Sequence, residues 1–224
     1  MMIAIDGPAS SGKSTIAKRL ATDLDFIYLD TGAMYRAFSL LAIEANCPST
    51  DSICLAKLLA DFNISFTREA DGQHVWLGDR DVTKEIRQDQ VSRLVSEYAA
   101  LRPVRQALVA KQQAFAHQGA GVVMDGRDIG TVVLPTADLK FYLTASVAER
   151  ARRRYLENQD KGLSGMSLAE LEAEITRRDQ YDMGRAESPL RVAEDAIVID
   201  SSDLSLDQVE QLMLDQVEQR MIGH

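Results

Sequence analysis

An α/β architecture, with a central parallel sheet and helices against both of its faces, is predicted by three observations. Short apolar runs recur along the chain, each closed by a polar turn and most of them leading into a segment of helical spacing. A glycine- and serine-rich turn, Gly7 to Ser14, lies between the first such run and the first such helix. Asp6, Asp30 and Asp125 stand at the ends of apolar runs, where the carboxyl edge of a parallel sheet gathers its ligands.

Taken in order, Ile3-Ala4-Ile5 reads as a strand, and from Lys13 the apolar spacing turns helical through Ile16 and Leu20. Phe26 to Leu29 reads as a second strand, ended by Asp30-Thr31-Gly32, with a helix from about Ala33 to Glu44. From Asn63 to about Arg87 the period changes to two. Ile64 and Phe66 precede the turn Ala70-Asp71-Gly72, and Val75 and Leu77 follow it, which predicts an antiparallel hairpin. That insert is either a substrate-side flap or a surface decoration. Helices are expected near 91–117 and 167–183, and strands at 121–125, 139–143 and 196–200. Val209, Met213 and Val217 give a last helical spacing. The resulting organisation is a single domain, 1–224, with its core in 1–60, 91–148 and 179–224, an insert at 61–90 and a helical lid at 149–178.

The composition is that of an ordinary globular protein able to bury one sizeable core: 224 residues, 46% hydrophobic and 26% charged. A formal net charge of −9 and an aromatic share of 6% disfavour nucleic acid and anionic membranes as partners. The N-terminus shows no basic segment followed by a long apolar stretch, so a cytoplasmic location is expected. Cys47 and Cys54 form no CxxC and have no histidine nearby, and they are expected as reduced, packed thiols. His74, His117 and His224 are scattered and suggest no metal or catalytic centre.

The clearest chemical signal is Gly7-Pro8-Ala9-Ser10-Ser11-Gly12-Lys13-Ser14, followed by Thr15. It fits G-x-x-x-x-G-K-[ST] between a strand and a helix, the context of the P-loop fold of nucleotide-binding proteins. The glycines let backbone amides wrap a phosphate, Lys13 can reach the β and γ oxygens, and the Ser14 hydroxyl can hold Mg2+. The guanine-reading Asn-Lys-x-Asp is absent, which disfavours a GTPase switch, and the short chain disfavours a large ATPase. A small-molecule kinase is favoured.

Three basic clusters suggest where a second phosphate would bind. Asp30-Thr31-Gly32-Ala33-Met34-Tyr35-Arg36 opens a helix that Thr31 could cap while Arg36 faces an anion; a plain cap with a solvated arginine is the alternative. Asp125-Gly126-Arg127-Asp128-Ile129-Gly130 follows a strand, and Arg127 could bridge donor and acceptor phosphates or form an exposed ion pair. Arg150, Arg152, Arg153 and Arg154 crowd five positions, with Arg177, Arg178 and Arg185 beyond a polar stretch containing Gly162, Ser164 and Gly165. Arg150 and Arg154 share a helix face, and the stretch could close as a lid that keeps water from the phosphoryl group. Solvated arginines paired with Glu149, Glu157 and Asp179 are the alternative.

Together these segments, with Asp-Gly-Arg-Asp-Ile-Gly-Thr-Val-Val at 125–133, resemble bacterial cytidylate kinases over nearly the whole chain. The resemblance implies transfer of the γ-phosphate of MgATP to CMP or dCMP by a monomer. It assigns Gly7 to Thr15 to ATP. The acceptor phosphate falls to Thr31, Arg36 and Arg127, with Arg185 in the same pocket and Tyr35 among the CMP-binding residues. The cytosine falls to Ser96, Arg105 and Asp128, and the ribose to Arg178 and Asp182. Lys13, Arg127, Arg178, Arg150 and Arg154 are the expected catalytic group. A carboxylate at Asp128 accepts from the cytosine amino group while Arg105 donates to N3 and O2, and uracil reverses both contacts. The alternatives are a P-loop kinase for UMP, AMP or a hydroxylated metabolite, and a nucleotide-binding regulatory module without turnover.

Overall fold

The computed structural model describes residues 1–69, 72–119, 121–160 and 165–222, Arg68 by its backbone alone. The chain packs as two compact units, one of Met1–Leu29 with Gln113–His224 and the other of Asp30–Gln112.

The first unit is built on a five-stranded sheet. β1 (Met2–Asp6), β2 (Ile27–Asp30), β6 (Val122–Gly126), β7 (Leu139–Thr144) and β8 (Ile197–Asp200) lie in the order β2-β6-β1-β7-β8. The pairings of β1 with β6, β1 with β7 and β7 with β8 are parallel. Period-two alternation brings Ile3, Ile5, Val123, Phe141 and Leu143 into one apolar layer with Ile16 and Leu20 of α1 (Lys13–Asp23). Val209, Met213 and Val217 of α8 (Leu206–Ile222) complete that layer, so the helical spacing at the end of the chain is a buried stripe. Each large aliphatic side chain buried there contributes about 1.5–3 kcal/mol. α6 (Val147–Asp160) and α7 (Leu168–Gly184) pack through a smaller cluster of Ala151, Leu171 and Ile175. The register sets Asp6 opposite both Gly126 and Tyr142, so the ends of β1, β6 and β7 share one edge.

The second unit holds α2 (Thr31–Glu44), α3 (Ser52–Ala60), β3 (Ile64–Glu69), β4 (Gly72–Leu77), β5 (Arg80–Asp81), α4 (Asp89–Ala100) and most of α5 (Arg102–Ala116). Its core includes Phe38 of α2, which meets Phe62 and Tyr98 edge-to-face with centroids 5.6 and 6.2 Å away. The hairpin pairs Ile64 with Leu77 and Phe66 with Val75 as its alternation predicts, while Ala70 and Asp71 of its turn lie outside the described residues.

Several boundaries differ from expectation. The second unit spans 30–112 rather than 61–90, because α2 and α4 share a core with the hairpin side of the chain. α3 and β5 carried no clear periodic signal. The helix expected over 91–117 is two helices that break at Leu101. Pro103 has no N–H to offer the carbonyl of Ala99, and Arg105 Nη1 donates to that oxygen instead, at 3.0 Å. The cysteines, expected as separate thiols, are joined: Cys47 and Cys54 form a disulfide with their Cα atoms 5.9 Å apart. The chain turns after α2, where Cys47 N–H bonds back to Ala42, and Asp51 then caps α3 through the amides of Ile53 and Cys54. This places the two sulfurs together without any sequence motif. Among the described residues no helix is long and apolar enough to cross a membrane.

Candidate active site

The loop between β1 and α1 has the backbone of an anion cradle. Gly7 has φ +152°, and a Cβ there would lie 2.0 Å from the carbonyl oxygen of Leu143, so only glycine fits against β7. Gly12, at φ +89°, begins α1 without a side-chain cap, which leaves that helix's first amides to a ligand. Lys13 is buried, and its Nζ donates to Pro8 O at 2.6 Å and to Ser11 Oγ at 3.2 Å. Burial draws its ammonium well below the usual lysine range, the charges of Arg127 and Arg178 add to that, and Asp125 and Asp6 oppose it. Three cations therefore bear on this loop, and an incoming polyphosphate would relieve their mutual repulsion.

Two carboxylates organise the neighbouring sheet edge. Ser14 Oγ donates to Asp125 Oδ2 at 2.8 Å, and Tyr28 Oη donates to Asp125 Oδ1 at 2.7 Å. This pair of hard oxygen donors suits Mg2+, which binds few protein ligands and keeps water and phosphate oxygens for the rest. Among the described residues no group of three or more His, Cys, Asp and Glu side chains could hold a metal, so the remaining ligands would come from nucleotide and water. Asp6 accepts from the amides of Ile129 and Gly130, at 2.8 and 2.7 Å. Burial outweighs those bonds and pushes Asp6 up to about 6, with Asp128 adding to the rise and Lys13 opposing it.

The loop after β6 meets the end of α7. Arg127 Nε donates to Asp182 Oδ2 at 2.9 Å, and Arg185 Nη2 lies 3.8 Å from Asp128 Oδ1. The structure thus brings Arg127, Asp128, Asp182 and Arg185 together in crossed pairs. Arg178 lies on α7, one turn before Asp182.

The arginines of α6 divide. Arg150 is buried, its Nε donating to Ala145 O and its Nη1 to Ala9 O and Asp179 Oδ2. It is occupied by protein acceptors rather than turned to a lid face with Arg154, as the spacing suggested. Arg154 is exposed and lies 3.6 Å from Glu157, while Arg152 and Arg153 bond to Glu149. Lys161 to Ser164, where the flexible part of the lid was expected, lie outside the described residues.

In the second unit, Asp30 rather than Thr31 caps α2, its Oδ1 accepting from Ala33 N at 2.9 Å. Aspartate precedes the first helical residue, and Thr31, already inside the helix, is buried. Arg36 Nη2 donates to Asp30 Oδ2 at 2.9 Å. Arg105 is buried and lies over the Tyr35 ring, 5.2 Å from its centroid. Thr31, Tyr35, Arg36 and Arg105 are thus tied together by α2 and its partners, and Ser96 is half-buried on α4. Sequence reasoning missed the roles of Asp6 and Asp125, although their place at strand ends marked them, and placed Asp179 only as a partner of solvated arginines, whereas it is buried against Arg150 and Ala9.

The profile of the cytidylate kinase family matches residues 3–219. The cytidylate kinase of Streptococcus gordonii is 52% identical over 93% of this chain and 92% of its own length. That of Streptococcus pneumoniae is 50% identical over 99% of both chains. The fold is shared with shikimate kinase from Bacteroides thetaiotaomicron, at a TM-score of 0.50 and 13% identity over 97% of this chain and 98% of that one.

Proposed function

The chain belongs to the cytidylate kinase family, and from that premise we propose that it transfers the γ-phosphate of ATP to CMP or dCMP, yielding ADP and the diphosphate. The observation that carries the proposal is the glycine-walled cradle at a sheet edge, with Lys13 buried at the start of the uncapped α1 and Ser14 bonded to Asp125. The cradle holds the donor phosphates along Gly7 to Thr15, with Lys13 at the β and γ oxygens. Ser14 and Asp125 would hold Mg2+, which would supply neutralisation of the negative charge on the phosphates. The phosphate of CMP is ionised at neutral pH and attacks the γ-phosphorus in line, so no general base is required. Arg127 and Arg178 neutralise the equatorial oxygens as charge spreads over them, and Arg154 adds to this from α6.

Thr31, Arg36, Arg127 and Arg185 take the acceptor phosphate, and Tyr35 supports Arg105 from below. Ser96, Arg105 and Asp128 read the cytosine, and Arg178 and Asp182 take the ribose. An aspartate acceptor at the exocyclic amine and a guanidinium at N3 and O2 discriminate against uracil by about 1–3 kcal/mol for each buried group left unpaired. The protein acts in the cytoplasm as a monomer on small substrates, with neither nucleic acid nor membrane as partner.

ADP formation from MgATP, measured with CMP, dCMP, UMP, AMP and no acceptor, tests this reading. Turnover confined to CMP and dCMP is expected. Equal turnover with UMP or AMP would discard the base assignment, and no rise with any acceptor would discard the phosphotransfer.

A further inference from the structure

We propose that Arg150 and Asp179 form a positioning clamp that sets the shape of the phosphate cradle from behind. The inference rests on the donor-site reading above and assigns this pair a role without contact to either nucleotide. The clamp grips one residue of the cradle, Ala9, at both of its backbone polar groups. Asp179 Oδ1 accepts from Ala9 N at 3.2 Å, and Arg150 Nη1 donates to Ala9 O at 3.0 Å. The two side chains close the ring through Nη1 and Oδ2 at 2.6 Å, and Arg150 Nε anchors it to Ala145 O at 2.9 Å, where β7 leads into α6. Both residues are buried, Arg150 to 4% and Asp179 to 7% residual exposure.

Such a pair is a poor stabiliser, because desolvating two charges cancels most of their attraction. Its geometry is better explained by the constraint it imposes. Ala9 lies between the two glycines that give the cradle its freedom, so without an external grip the loop's amides would sample many directions. One ion pair therefore sets the directions of the cradle amides. Displacement of catalytic groups by a fraction of an ångström is costly when catalysis consists of positioning.

The test compares the wild-type protein with Asp179→Asn, Arg150→Lys and the double variant Arg150→Met with Asp179→Leu. The double variant removes both charges together, so that neither is left buried without its partner, and its Tm is measured to establish that it folds. Arg150→Lys keeps the charge but cannot reach the three acceptors at once. Each variant is assayed for ATP affinity by calorimetry, and for kcat and for KM toward ATP and CMP. The expected result is a loss of about 10–100-fold in kcat/KM for ATP and weaker ATP binding, with KM for CMP within about twofold of wild type. Folded variants with wild-type ATP affinity and turnover, or with KM raised equally for ATP and CMP, would overturn the clamp. A wild-type protein that binds ATP but does not turn over CMP would instead remove the kinase reading, and ATP affinity alone would then decide the clamp.

Discussion

The phosphate cradle and the α6–α7 helices both carry groups suited to phosphate, yet they are specified in opposite ways. In the cradle the specification is local: Gly7 and Gly12 supply backbone directions closed to other residues, and Lys13 is the first residue of the helix that follows. On α6 and α7 each arginine takes the direction its partner carboxylate dictates. Arg150 turns inward to Asp179, Arg152 and Arg153 turn to Glu149, and Arg154 lies near Glu157. Successive helical residues point about 100° apart, so arginines crowded in sequence are dispersed in space. Charge density along a chain therefore overstates charge density at a site. Backbone motifs do not suffer this dilution.

Substitutions on either side of the contrast are expected to differ in size. Lys13→Ala should lower kcat by roughly 10³-fold, since on the proposed reading it removes the buried cation at the β and γ oxygens. Normal turnover in that variant would undo the contrast altogether. Arg127→Ala should lower kcat by about 100-fold and also lower Tm, because Asp182 loses its ion-pair partner in a buried position. For Asp128→Asn, kcat/KM for CMP should fall by about 10–100-fold while UMP changes little, which narrows the preference between the two. Parallel losses for CMP and UMP would assign Asp128 to support of Arg185 rather than to the base.

The next effect is one of pH. Folded Asp6 keeps its proton up to about pH 6, against a usual value of 3.8. Between those values the folded state binds more protons than the unfolded state, and stability falls as pH rises. Asp6→Asn does not titrate. The difference in urea midpoint, wild type minus variant, should therefore decline from about pH 4 to about pH 6 and then level off. A flat difference would mean that Asp6 titrates normally in spite of its burial beside Asp128 and Lys13. The smallest effect is expected for exposed Arg152, whose replacement by alanine should leave turnover unchanged and Tm nearly so.

Much of the fold was legible because it rests on short-range pattern. Short apolar runs placed the parallel strands, alternation placed the hairpin, and the spacing of Val209, Met213 and Val217 marked a buried helix face. The cradle was legible for the same reason, its chemistry lying within eight consecutive residues. What escaped depends on partners distant in sequence. Arg150 reads as a lid arginine until Ala9 and Asp179 are placed beside it, 141 and 29 residues away. The disulfide escaped likewise, since only the turn after α2 and the Asp51 cap bring Cys54 back to Cys47. The break at Leu101 was nearer to hand, in the proline that follows it, but its use by Arg105 was not.

Asp6 has a consequence for how phosphate is sorted. Among the described residues at one sheet edge, backbone amides able to receive an anion lie at the start of α1 and, buried, at Ile129 and Gly130. A carboxylate from β1 sits in the second and engages both of its N–H groups. The protein thus fills one of these sets of amides with an anion of its own and leaves the uncapped start of α1 to an incoming one.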